Sequence, residues 1–180
     1  MGRLSVDEFK TSEKIPLVVV LDDVRSMYNV GSVFRTADAF RVQSIYLCGI
    51  TACPPNPEIH KTALGAEETV DYRYFKDTMS AVEELKNRGY FVYSIELCEG
   101  STKLQNLTLT PFSEAGNKYS GYAIILGNEV KGVRQDVVTA SDDCIEIPQF
   151  GTKHSLNVST TAGIVIWEFA RQFLFTKPDK

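Results

Sequence analysis

The chain alternates short apolar runs with segments whose apolar residues recur every three or four positions. Leu17–Leu21 is a β-branched run that reads as a buried strand. The stretch Val30–Phe40 after it has helical spacing, with Val30, Val33, Phe34 and Ala37 on one face. Ser44–Cys48 is a second strand. Lys76–Arg88 reads as a helix with Asp77 as its N-cap, Glu84 and Arg88 as an i,i+4 pair, and Gly89 as its stop. Strands follow at Tyr90–Leu97, Gly121–Leu126 and Cys144–Ile147, with a short helix at Gln135–Ala140 and a long closing helix over Val158–Phe173. Strands alternating with helices predict an α/β fold on a mainly parallel sheet with helices on both faces.

The closing helix carries more apolar surface than one face needs. Ala162, Val165, Ile166, Phe169 and Phe173 form a stripe, and Ile164, Trp167 and Leu174 lie outside it. Such a helix is covered on more than one side, either as a central core helix or at a subunit interface. Thr51–Pro57 and the polar stretch Glu99–Lys118 read as long loops, which in compact domains often carry function. Near the start, Ser5 and Glu8 have the spacing of a capping box and predict one loosely attached helical turn before Lys14.

Composition narrows the class. At 180 residues, 43% hydrophobic and 23% charged, the chain suits one soluble domain with a real core. No apolar run reaches the ~18 residues of a membrane span, and Met1–Ser5 lacks the apolar centre of a signal peptide. A cytoplasmic protein without a membrane partner is expected. Cys48, Cys53, Cys98 and Cys144 form no closely spaced pair, and only His60 and His154 are available to join them. No metal is expected, and the thiols read as reduced. The net charge of −4 weighs against nucleic acid, which normally meets a basic face, yet distribution matters more than the sum. Acidic residues gather in Glu67–Asp71, Glu83-Glu84 and Asp142–Glu146. Arg25, Arg35, Arg41, Lys61, Lys131, Arg134 and Lys153 lie in or beside the segments with chemical potential.

Three such segments stand out. In Asn29–Arg35, Asn29 sits where an N-cap is wanted, and Gly31 and Arg35 share the face opposite the apolar stripe. A glycine there costs up to ~1 kcal/mol of helix stability, so it is expected to admit something bulky. Arg35 brings a permanent forked cation suited to phosphate. In Leu126–Val133, two glycines after a strand permit close approach of backbone to a ligand, and Glu129 favours a cationic one. In His154–Ser159, Ser155, Asn157 and Ser159 are all cap-competent; capping explains one of them, not three. Each segment also has an ordinary reading: a surface arginine on an amphipathic helix, a strand-to-helix turn, a helix cap. The chain has no Gly-x-Gly-x-x-Gly after its first strand, which argues against a nicotinamide enzyme, and no phosphate loop or nucleophile elbow.

Taken in order, the three segments resemble motifs 1, 2 and 3 of the SpoU/TrmH-type methyltransferases of the SPOUT superfamily. The similarity runs from about Ile15 to Phe173 and includes Lys61–Ala66. The resemblance implies an α/β domain over residues 15–175 with a C-terminal trefoil knot, a short N-terminal extension over 1–14 and a tail over 176–180. It implies a homodimer that uses S-adenosylmethionine to methylate a ribose 2′-hydroxyl of RNA, tRNA before rRNA. An rRNA enzyme and a catalytically silent RNA-binding member are the alternatives. Carried over by motif, Asn29, Arg35, Glu129, Ser155 and Asn157 are the catalytic set. Glu96, Leu126, Gly127, Ile147, Leu156 and Ser159 are the cofactor-binding set. The chain departs from the pattern at Phe150, where a small or flexible residue is expected, and at Thr160-Thr161. Arg35 is the family's proposed base, but a guanidinium that stays charged is a poor proton acceptor, so a phosphate and alkoxide partner is the steadier role.

Overall fold

A computed structural model describes residues 4–110, 119–152 and 155–175. Lys153, His154, the tail 176–180 and the later part of the Glu99–Lys118 loop lie outside these residues. Seven strands form one sheet in the order β3-β2-β1-β6-β4-β7-β5, and every pairing is parallel. The strands are β1 (Ile15–Asp22), β2 (Val42–Cys48), β3 (Tyr72–Phe75), β4 (Tyr90–Ile95), β5 (Thr102–Lys103), β6 (Gly121–Leu126) and β7 (Asp143–Glu146). The helices are α1 (Val6–Thr11), α2 (Met27–Ala39), α3 (Pro57–Ala63), α4 (Ala66–Thr69), α5 (Thr78–Asn87), α6 (Gln135–Ala140) and α7 (Val158–Phe175).

Alternation along β1 assigns its side chains to two cores. Leu17, Val19 and Leu21 meet Val30 and Phe34 of α2, Ile59 of α3, and Ala162, Val165 and Phe169 of α7. Val18 and Val20 face the other way, toward Ala81, Val82 and Leu85 of α5 and Val137 of α6. Helices on both faces bury the central strands on both sides, which is why they read as continuous apolar runs. The capping box at Ser5 and Glu8 is present, and the helix it starts is anchored by buried Phe9. Gly89 ends α5 region with positive φ, and Arg88 pairs with Glu84 as expected.

Several local expectations need correction. α2 begins at Met27, capped by Ser26, whose hydroxyl accepts from the Asn29 amide. Asn29 is therefore in the first turn and its side chain is free for other work. Asp77 sits at the N-cap position of α5 without capping it, because its carboxylate binds Arg134 (2.9 Å). α3, α4 and β3 were not legible. Pro57, read as loop, is the first residue of α3, with Asn56 Oδ1 capping the amides of Glu58 and Ile59. β3 is a four-residue edge strand whose side chains are largely exposed, so no apolar run marks it.

Gly31 does admit something bulky, and it is α3. A Cβ there would lie 2.2 Å from the Ile59 carbonyl oxygen and 2.2 Å from Thr62 Oγ1. Gly31→Ala is expected to destabilise the fold by roughly 1–2 kcal/mol, since overpacking costs about 1–3 kcal/mol and helix propensity returns up to ~1. Gly163→Ala adds the same methyl where nothing lies within 4 Å and is expected to stabilise. Chemical denaturation of the two variants checks the contrast, and equal midpoints would contradict it.

Candidate functional site

The carboxyl ends of β4, β6 and β7 open into a cleft of about 1100 Å³, the usual place for a ligand in an open parallel sheet. Glu96, Leu126, Gly127, Ile147 and Leu156 line it, together with Glu129, Ser155 and Asn157. Eight of the residues singled out in the sequence thus share one concavity, although they come from three separate stretches of chain.

The loop after β6 shapes one wall. Asn128 and Gly132 exchange backbone hydrogen bonds of 3.0 and 2.9 Å, and Asn128 Oδ1 accepts from the amides of Val130 and Lys131. The Asn128 side-chain amide donates to the Asp23 carbonyl (2.8 Å). A Cβ on Gly127 would lie 2.1 Å from Gly132 C and Val133 N, and one on Gly132 would lie 2.3 Å from Glu96 Oε2. The glycines do permit a close approach, but what approaches them is the loop itself and the Glu96 carboxylate. Glu96 in turn accepts from the Val133 and Leu97 amides, both at 3.1 Å, and so latches the loop after β6 to the loop after β4.

Sequence reasoning missed the supports of this wall. Asp22 is fully buried; it accepts from Thr78 Oγ1 (2.5 Å) and from the Arg134 amide (3.1 Å) where the loop rejoins α6. Asp23 has φ of 54° and accepts from the Ile50 amide (3.0 Å). The available signal was a pair of carboxylates closing an entirely apolar strand, where a buried charge must find partners.

Glu129 is the centre of the polar site. Its carboxylate accepts from the amides of Arg25 (3.0 Å) and Ser26 (2.9 Å) and from Asn29 Nδ2 (3.1 Å). Partial burial pushes its pKa up, but the two amides and Asn29 outweigh this and hold it below its ordinary value, so the group is ionised near neutrality. Asn29 Oδ1 accepts from Asn157 Nδ2 (3.2 Å), and Asn157 Oδ1 accepts from the Ser159 amide (2.9 Å) and hydroxyl (2.6 Å). One chain of hydrogen bonds therefore joins motif 2 to motif 1 and to the start of α7. Asn157 is the cap of that helix. Ser159 stands behind Asn157, and Ser155 is exposed at the cleft.

Arg35 is not brought to this cleft. It lies on the exposed side of α2 in a shallow groove of about 470 Å³ with Ser32, Thr36, Phe40, Lys61 and Thr62. No carboxylate lines this groove, and the Arg35 guanidinium makes no hydrogen bond or ion pair among the described residues. The acidic chain thus keeps two cations on a surface free of lining acids, although Lys61 also bonds Glu58 (2.6 Å).

Residues 16–167 match the model of the SpoU rRNA Methylase family. The chain is 32% identical over 166 residues to a 23S rRNA (guanosine-2′-O-)-methyltransferase RlmB of Neisseria meningitidis, with 92% of this chain and 62% of that protein covered. It is 28% identical to a tRNA (guanosine(18)-2′-O)-methyltransferase of Thermus thermophilus, with 96% and 83% covered. The crystal structure of an AdoMet-bound rRNA methyltransferase from Sinorhizobium meliloti superposes with a TM-score of 0.78 at 26% identity, over 97% of this chain and 62% of that one. The chain thus spans about three fifths of the rRNA enzymes it resembles. With the parallel sheet, the cleft at its carboxyl edge and a family match over most of its length, the chain belongs to the SpoU rRNA Methylase family.

Proposed function

We propose that this protein is an S-adenosylmethionine-dependent methyltransferase that acts on a ribose 2′-hydroxyl of RNA, with tRNA ahead of rRNA, as a cytoplasmic homodimer. The observation that carries this reading is the single cleft that gathers Glu96, Leu126, Gly127, Ile147 and Leu156 beside the Glu129–Asn29–Asn157 chain. Relatives of both substrate classes support an RNA acceptor, a 23S rRNA enzyme at 32% identity and a tRNA enzyme at 28%. Among the described residues no helix is long and apolar enough to cross a membrane.

The cleft suits the cofactor's chemistry. S-adenosylmethionine supplies a methyl group already activated by its sulfonium charge. Gly127, Ile147 and Leu156 offer backbone groups and apolar surface to an adenosine, while Glu129, held ionised, favours a cationic ligand. Ser155 and Asn157 provide polar groups at the cleft for the acceptor. Positioning of the acceptor hydroxyl is the main task left to the protein, worth up to ~7–11 kcal/mol in favourable systems.

Arg35 serves as the phosphate clamp and alkoxide stabiliser in this reading. It does not line the cleft of its own protomer, so a role at the acceptor calls for a second copy. Apolar residues beside its groove support one: Ile164, Trp167 and Phe175 are exposed on α7, and the Trp167 ring lies 5.6 Å from Phe40, which also lines the groove.

Labelled-methyl transfer to total tRNA and total rRNA, with mapping of any 2′-O-methylated position, tests the proposal. Calorimetry with S-adenosylmethionine and with NAD accompanies it. Absence of S-adenosylmethionine binding would overturn the reading, and binding without transfer would leave a silent RNA-binding protein. Arg35→Ala is expected to keep cofactor affinity and lose most methyl transfer; unchanged turnover would remove Arg35 from the mechanism. Mixing Arg35→Ala with Glu129→Ala subunits is expected to restore part of the activity, and no recovery would argue against a shared site.

A further inference from the structure

Phe150 is 98% exposed, on the loop between β7 and α7. The residues on either side of it, Gln149 and Gly151, line the cleft. Two other cleft-lining apolar residues are also presented to water: Leu97 after β4, 73% exposed, and Val130 after β6, 78% exposed. Each of the three loops around the opening therefore carries an uncovered apolar side chain. A scattered exposed leucine or valine needs no explanation. A phenylalanine 98% exposed, between two residues of a binding cleft, offers a flat face on which none of the described residues packs. Gly151 beside it also borders open space, with nothing within 4 Å of where a Cβ would sit.

The charge of the opening narrows what that face can meet. Among the described residues, Glu96, Glu99, Glu129 and Glu146 line the cleft against one cation, Lys131. A phosphate gains nothing from such a lining. The part of an RNA that is uncharged, flat and in need of a surface is the base. A ribose hydroxyl reaches a concave site only when its nucleotide leaves the helical stack, and the base then loses its stacking partners. An aromatic side chain at the rim restores that contact for any base.

We propose that Phe150 is a stacking platform for a nucleobase of the RNA substrate, at or next to the nucleotide that is methylated. The proposal rests on the methyltransferase reading above and adds a substrate-contacting residue to it.

The test compares Phe150→Ala and Phe150→Trp with the wild-type chain. With bulk tRNA and total rRNA as methyl acceptors, Phe150→Ala is expected to raise the KM for RNA about 5- to 150-fold. That range is the fold-change of about 1–3 kcal/mol per stacked base. Its kcat and its affinity for S-adenosylmethionine stay near wild type, and Phe150→Trp keeps the low KM. A single-stranded oligoribonucleotide containing 2-aminopurine is quenched by the wild type and by Phe150→Trp, and not by Phe150→Ala. An unchanged KM together with unchanged quenching in Phe150→Ala would overturn the proposal. So would a loss of self-association in sedimentation, which would assign Phe150 to a second copy. If the wild type transfers no methyl to either RNA, the parent reading fails, and the quenching experiment still decides whether Phe150 stacks on a base.

Discussion

Glu129→Ala is expected to lower methyl transfer on the order of 100-fold and to weaken S-adenosylmethionine binding, with little change in stability. Three donors converge on this carboxylate, the Arg25 and Ser26 amides and Asn29 Nδ2. Hydrogen bonds to a charged group contribute more than neutral ones, and a hundredfold loss corresponds to about 2.7 kcal/mol at 1.36 kcal/mol per tenfold. Alanine removes the negative charge that favours a cationic ligand and releases Asn29, so Asn157 loses its partner in the same chain. Stability changes little because Glu129 is exposed and water reaches the freed amides. Glu129→Gln separates charge from shape. It retains an acceptor oxygen for the amides but not the charge, and is expected to lose cofactor affinity while keeping the loop in place. The pH dependence has a definite sign. The folded-state pKa is depressed, so the stabilising contribution is present above the ordinary value of 4.5 and is lost as pH falls through the lower folded-state value. Acid titration of stability is expected to be shallower in Glu129→Gln. A wild-type rate of transfer in Glu129→Ala would take the hydrogen-bond chain out of the site.

Gly127→Ala is expected to abolish measurable cofactor binding while the sheet remains folded. The new methyl would sit 2.1 Å from Gly132 C and Val133 N and 2.4 Å from Gly132 O, all of them backbone atoms. No rotamer relieves that overlap. The loop must lift, which breaks the paired Asn128–Gly132 bonds and the Val133 amide contact to Glu96. Glu129 lies within the displaced loop, so this wall of the cleft and the centre of the polar site are lost together. The strand before it is unaffected, because the buried residues of β6 end at Leu126. Calorimetry with S-adenosylmethionine and far-UV circular dichroism check the two halves of this expectation. Wild-type affinity would show that the loop reorganises without cost.

Much of the framework was legible. β6 and α6 coincide with the runs read from the chain, and β1, β2, β4, β7 and α7 differ from them by a few residues at their ends. These elements carry a strong period because each is buried against a core on at least one side. β3 escaped because its side chains are largely exposed, and α3 because three prolines crowd its approach and one of them starts it. Within the site, Glu129, Ser155 and Asn157 were found as polar residues in unlikely company with glycines and apolar residues. Asn29 was singled out through motif 1, and only its expected place as the cap of α2 was wrong, since Ser26 holds that position. Asp22, Asp23 and Asn128 escaped because their partners lie as far off in sequence as Thr78, Arg134 and Ile50, and no local pattern reports such a pairing.

The sequence by itself determined the class of fold and the chemical inventory, because strand and helix periods and the polar content of three segments are local properties. The tertiary structure decided where that inventory meets. The parallel order β6-β4-β7 sets three carboxyl ends side by side, so residues from Glu96 to Asn157 share a cleft. Packing, not a ligand, explains Gly31, and the loop's own return explains Gly127. Arg35 is the clearest case. The motif placed it with the catalytic residues, whereas helix geometry carries it to the opposite side of α2 from the core, into a groove apart from the cleft. A side chain's direction on a helix follows from its position in the turn, and which surface that direction reaches is fixed only when the helix docks.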